Sequence, residues 1–140
     1  MAETKYGKYF SKDPSKILIK GMFAPKLRYY SGMRGGDVNF GVLWNYVTAP
    51  FRMPDGPHTH PFDEVWLFLG GDQSNIKDFH AEIEVYLGEE QEKHVITEMC
   101  VLEIPRGLVH CPLIFKKIDK PMLFVNFPLT PKYEKTDTKK

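Results

Sequence analysis

Pro57-His58-Thr59-His60-Pro61-Phe62-Asp63-Glu64 is the stretch on which the reading of this chain turns. Two histidines one residue apart, with a carboxylate four positions on, leave His58, His60 and Glu64 at positions of the same parity. On an extended strand such side chains point to one face, so three groups able to bind a divalent first-row metal converge. A fourth stands in Pro105-Arg106-Gly107-Leu108-Val109-His110, where Pro105 and Gly107 mark a turn that aims His110 back at the same place. Taken singly, each element is ordinary: a solvated proline-rich turn, a wet strand face, a hydrogen-bonded histidine. Jointly they specify three imidazoles and one carboxylate facing one ion.

The spacings resemble those of the cupin superfamily: H-x-H-x-x-x-E, a glycine seven positions on at Gly71, then P-x-G-x-x-H ending at His110. The chain departs from that pattern at three turn or packing positions. Arg52 stands where a glycine usually precedes the first motif, Met99 where one opens the second, and Ile114 where an asparagine usually closes it. All four ligand positions are intact. The resemblance implies an all-β, cupin-type double-stranded β-helix, a jelly-roll barrel, with His58, His60, Glu64 and His110 as metal ligands.

The rest of the chain agrees with an all-β domain. At 140 residues, with 42% hydrophobic and 14% aromatic residues, it holds one domain with a real core. Residues 1–16 read as a polar arm, 17–130 as a single cupin domain, and 131–140 as a charged tail expected to fray. The formal net charge of +1, with acids and bases interspersed, offers no electrostatic case for nucleic acid or an anionic membrane. With no apolar leader at the N-terminus and no membrane-length apolar run, the expected setting is cytoplasmic. Cys100 and Cys111 are then reduced packing thiols, and Cys111, directly after His110 on an extended segment, is expected to point away from the metal.

Short apolar runs punctuated by glycine and proline predict strands at Val38–Thr48, Glu64–Leu69, Ile83–Leu87, Cys100–Ile104 and Met122–Phe127. No amphipathic helix is expected. Ile17-Leu18-Ile19 suggests a further early strand. Pro25 keeps Ala24–Tyr30 from being a central strand. The glycines of Ser31–Asp37 fit no phosphate-binding spacing and read as a loop. Val65-Trp66-Leu67-Phe68-Leu69 is apolar on both parities and therefore buried on both faces. Trp66 and Phe68 share parity with Glu64 and are expected to line or fill the barrel beside the metal. Glu82 and Glu84 should face water, and His80 and His94 lie in polar surroundings outside the site.

Three histidines and a carboxylate around an octahedral ion leave up to two open positions, and iron, manganese, nickel, zinc or copper all tolerate such ligands. The resemblance implies a small metalloenzyme of oxygenase, isomerase or decarboxylase type, or else a binding module for a small ligand or metal. Tyr46, Arg106 and Asn126 are candidates for orienting a small-molecule substrate. In small cupins the early strand often pairs with a second subunit, which implies a homodimer.

Overall fold

The computed structural model describes residues 4–12 and 27–138. Eleven strands occur among them: β1 Leu27–Tyr30, β2 Gly41–Val47, β3 Phe51–Arg52, β4 His58–Thr59, β5 Glu64–Gly70, β6 Ala81–Leu87, β7 Glu92–Ile96, β8 Cys100–Ile104, β9 His110–Ile118, β10 Met122–Pro128 and β11 Thr136–Asp137. Short 3-10 turns at Gly7–Tyr9 and Ser31–Arg34 are the helical elements of the described residues. None is long and apolar enough to cross a membrane. The early strand expected at Ile17–Ile19 lies outside the described residues.

The strands form two antiparallel sheets, one ordered β1-β2-β10-β5-β8 and the other β11-β4-β9-β6-β7, with β3 also on β9. Strict alternation on β5 buries Glu64, Trp66, Phe68 and Gly70 and leaves Val65, Leu67 and Leu69 half-buried on the other face. The inward residues of both sheets meet in one core. Phe68 stacks on Phe124 at 5.1 Å, Phe124 meets Phe115 edge-on at 5.6 Å, and Phe115 stacks on Phe51 at 4.8 Å. Each fully buried phenylalanine contributes roughly 1.5–3 kcal/mol by leaving water. This aromatic column closes one end of the space between the sheets, and the histidines occupy the other.

Each of the five predicted strands is present, Cys100–Ile104 with the same ends and the other four with an end moved by one to three residues. On β2 the aromatic residues Trp44 and Tyr46 are exposed, whereas Asn45 and Val47 are buried. Asn45 is accommodated because its Nδ2 donates to the Phe124 carbonyl at 3.2 Å. Glu84 is also buried, contrary to expectation; it is paired with Lys93 at 3.1 Å and Lys116 at 3.4 Å. Residues 131–138 pack back onto the domain. Thr136 and Asp137 pair with Thr59 and His58, and Thr138 N–H donates to the Pro57 carbonyl.

Candidate metal centre

The first two histidines straddle β4 and the start of the Pro61 turn, and Glu64 opens β5. His58 is the direct cross-strand partner of His110 at the start of β9. The turn before His110 is held to the first motif itself: Gly107 N–H donates to the His60 carbonyl at 3.1 Å, and Leu108 N–H to that of Pro105. Gly107 adopts φ +82°, a left-handed conformation that costs glycine little and other residues more. The proline-glycine turn thus does what its sequence predicts.

All four ligand-type side chains are buried. His58 Nε2 lies 3.1 Å from His60 Nε2, and Glu64 Oε2 lies 3.2 Å from the Nε2 atoms of both His60 and His110. One ligand atom from each histidine falls within 4.8 Å of the other two. Neighbouring donors on an octahedral ion with bonds of ~2.0–2.2 Å stand roughly 3 Å apart, so the spacing fits.

The opposite nitrogen of each ring explains the orientation. His58 Nδ1 donates to the Gly56 carbonyl at 2.7 Å, His60 Nδ1 to that of Glu134 at 2.6 Å, and His110 Nδ1 to that of Leu108 at 3.0 Å. A carbonyl only accepts, so each Nδ1 carries a proton and each ring turns its Nε2 inward. Three Nε2 atoms and a carboxylate then face one another in a buried space. His110 Nε2 and Glu64 Oε2 have no hydrogen-bond partner; their 3.2 Å contact lacks the direction of a hydrogen bond. A divalent cation satisfies all four atoms at once.

The electrostatics carry the same strain. Burial acts to raise the Glu64 carboxyl, but the His110 and His60 contacts prevail and hold it at about 2. Burial pushes the His58 imidazole below its ordinary value, helped by the neighbouring rings and resisted by the Gly56 carbonyl. For His60 burial works in the same direction, yet Glu64 and the Glu134 carbonyl outweigh it and the ring is shifted up.

The histidines and Glu64 form one end of a cavity of about 260 Å³, lined also by Arg28, Tyr30, Trp66, Phe124 and Asn126. Of the candidate orienting residues, Asn126 reaches this cavity. Tyr46 points outward from β2, and Arg106 is exposed, with its Nε 3.8 Å from Asp63. Trp66 lines the cavity and meets the His110 ring edge-on at 5.6 Å, while Phe68 fills the core behind it. His80 and His94 pair with Asp78 and Glu92 at the surface, away from the centre.

Cys111 does not point away. Between the pairs Val85↔Leu113 and Leu87↔His110, β9 carries one residue more than β6, and Cys111 within that bulge has φ +81°. The bulge cancels the alternation, so Cys111 lines the cavity together with His110. Burial pushes its thiol up to about 12, which keeps it protonated and unreactive. Sequence reasoning missed Tyr133 and Lys135 as well. Tyr133 lies edge-on to His60 at 5.3 Å, and Lys135 pairs with Asp55 at 2.7 Å. Both belong to the segment expected to fray, and nothing in its charged composition pointed inward.

The fold is a double-stranded β-helix. An uncharacterized conserved protein with a double-stranded β-helix domain from Klebsiella pneumoniae subsp. pneumoniae is similar over 100% of this chain and 98% of its own, with a TM-score of 0.57 and 15% identity. A recombinant oxalate oxidase in complex with glycolate matches 93% of this chain at a TM-score of 0.57 and 15% identity; the match spans 63% of that longer chain. The polyketide cyclase RemF from Streptomyces resistomycificus matches 81% of this chain and 68% of its own, at a TM-score of 0.52 and 16% identity. No protein-family model and no curated protein matches the sequence.

Proposed function

We propose that the protein holds one divalent first-row transition metal through His58, His60, Glu64 and His110 and is a small metalloenzyme for a small organic acid, carbonyl or phenolic substrate. The observation that carries this reading is the convergence of four buried ligand-type atoms, the three histidine Nε2 atoms and Glu64 Oε2, with every Nδ1 committed to a backbone carbonyl. When bound, such an ion supplies a Lewis acid and a template for a chelating oxygen. The protein supplies the rest. Trp66, Phe124, Leu113 and Met53 wall the cavity with apolar surface. Asn126 and Trp66 orient what enters. The cavity is smaller than the ~300–1,000 Å³ typical of drug-sized sites, which selects a small molecule. A chain of the same fold is known with glycolate, a small hydroxy acid.

A non-catalytic binding module is the second reading, because one fold hosts both classes. The experiment that decides is elemental analysis of protein purified without chelator, paired with a turnover screen over small acids and phenols. Stoichiometric metal with turnover is expected. Stoichiometric metal without turnover establishes the binding module, and protein free of metal under all loading conditions overturns both.

The working unit in this reading is a cytoplasmic homodimer with reduced Cys100 and Cys111, both of which are free thiols in the structure. Support for the dimer comes from the outer face of β5, where Val65, Leu67 and Leu69 stay half-buried in the single chain. Sedimentation equilibrium should return twice the chain mass; a monomer at micromolar concentration ends that part of the proposal.

A further inference from the structure

Opposite the histidines, the cavity wall is a single row of cross-strand partners. Trp66 on β5 pairs with Asn126 on β10, Asn126 with Leu43 on β2, and Leu43 with Arg28 on β1. All four line the cavity. The adjacent inward row begins at Glu64 on β5 and ends at Tyr30 on β1, paired with Gly41. Gly41 is required there: a Cβ on it would stand 2.6 Å from the Tyr30 ring, which fills that space. The sheet register therefore fixes Arg28, Tyr30, Asn126 and Trp66 on one face, next to the carboxylate of the metal centre.

Three polar atoms of this wall are buried without a partner: Tyr30 Oη, Trp66 Nε1 and Asn126 Oδ1. Buried polar groups are nearly always hydrogen-bonded, and each left unmade costs free energy. Three on one wall of one cavity mark a ligand surface. Their chemistry is specific. An indole N–H only donates, a buried phenol donates readily, and an amide offers either a donor or an acceptor. Burial first, and Glu64 nearby, push the Tyr30 phenol above its ordinary value, so it keeps its proton to donate.

The charges on the lining are nearly all committed. Lys135 pairs with Asp55 and, at 3.3 Å, with Asp137. Glu64 belongs to the metal centre. Arg28 makes no ion pair among the described residues; its guanidinium carbon lies 5.4 Å from the Tyr30 ring centroid. A guanidinium presented beside two donors is suited to a planar carboxylate, which it can take through two parallel hydrogen bonds.

We propose that Arg28, Tyr30, Trp66 and Asn126 form a carboxylate-orienting subsite, so that the substrate is a small carboxylic acid anchored there while a second oxygen is directed to the metal centre. The choice of acids over neutral carbonyls and phenols rests on the metal-centre reading, but binding at Arg28 can be measured apart from it. The experiment is calorimetric titration of metal-loaded and chelator-treated protein with glycolate, pyruvate, malate and benzoate, each against its amide. Metal content is determined for every sample. At least one acid is expected to bind the wild type at least tenfold more tightly than its amide, a difference of about 1.4 kcal/mol or more. Arg28→Gln should erase that preference at unchanged metal content, and Arg28→Lys should restore part of it. Trp66→Phe, which keeps the ring and removes the N–H, should weaken the acid severalfold. Absence of acid binding to the wild type, or an acid preference unchanged in Arg28→Gln, overturns the subsite. Protein that takes up no metal overturns the metal reading instead, and the Arg28→Gln comparison in metal-free protein still decides the subsite.

Discussion

The two walls of the cavity differ in how their polar atoms are satisfied. On the histidine side each ring is fixed by a backbone carbonyl, from Gly56, Glu134 or Leu108, so the ligand geometry is set before anything binds. On the facing sheet Tyr30 Oη, Trp66 Nε1 and Asn126 Oδ1 have no partner. A wall anchored to main chain cannot adjust and suits a permanent ion of one size. A wall of unanswered polar atoms suits a molecule that comes and goes, since the free energy of satisfying them is released only on binding.

The sharpest way to break this contrast is to remove a ligand. His110→Ala should weaken divalent metal binding by more than the ~10–100-fold that loss of an outer-shell partner costs, with the β circular-dichroism signal retained because the aromatic core lies elsewhere. Full metal occupancy in that variant would show that the histidine wall is merely packed. Next comes truncation after Thr130. It removes the Glu134 carbonyl that orients His60 and the Lys135–Asp55 pair, and should weaken metal binding ~10–100-fold, read by competition with a colorimetric chelator.

Acid should probe the same wall in the metal-free protein. The Glu64 carboxyl is held at about 2, below its ordinary 4.5. A depressed carboxyl contributes stability above its unfolded value, and that contribution fades as pH falls from about 4.5 toward 2. The stability difference between wild type and Glu64→Gln in urea should therefore be full at pH 6 and shrink across that window. A difference independent of pH would mean that Glu64 is not held as an anion.

The smallest expected effect has the opposite sign. Tyr30→Phe deletes a buried hydroxyl with no partner, so the folded protein should gain up to ~1 kcal/mol in urea unfolding, with metal content unchanged. Loss of stability would mean that the hydroxyl is already satisfied. A gain paired with weaker acid binding would mark the residue as kept for ligand at the expense of the fold.

The histidine wall was legible because its information is local. A period of two puts His58 and His60 on one side, the turn at 61–63 carries Glu64 across to the facing sheet rather than along the same strand, and a proline-glycine turn returns His110. The facing wall was not, because it is assembled by register across β5, β10, β2 and β1, and no spacing within a single run encodes which residues become neighbours. Trp66 could be read from its parity with Glu64; Arg28 and Tyr30 sit on an edge strand that Pro25 made ambiguous. β9 went unassigned because Pro112 interrupts it and Lys116 and Lys117 dilute its apolar pattern. The same bulge defeated the parity argument for Cys111. The tail misled for a different reason: its contacts are made by the Glu134 main chain and by one ion pair, neither of which leaves a hydrophobic signature.

The Glu134 carbonyl that orients His60 also sets an order of events during synthesis. Chains emerge from the ribosome N-terminal residues first. His58, His60 and Glu64 are therefore outside well before His110, and His110 before Glu134. A nascent chain paused between the last two exposes three imidazoles and a carboxylate with one ring still free to rotate. In the metal-centre reading, an ion captured then would meet a softer centre than the finished protein presents, and metal choice would depend on timing as well as affinity, through the pairing of Thr136 and Asp137 with Thr59 and His58.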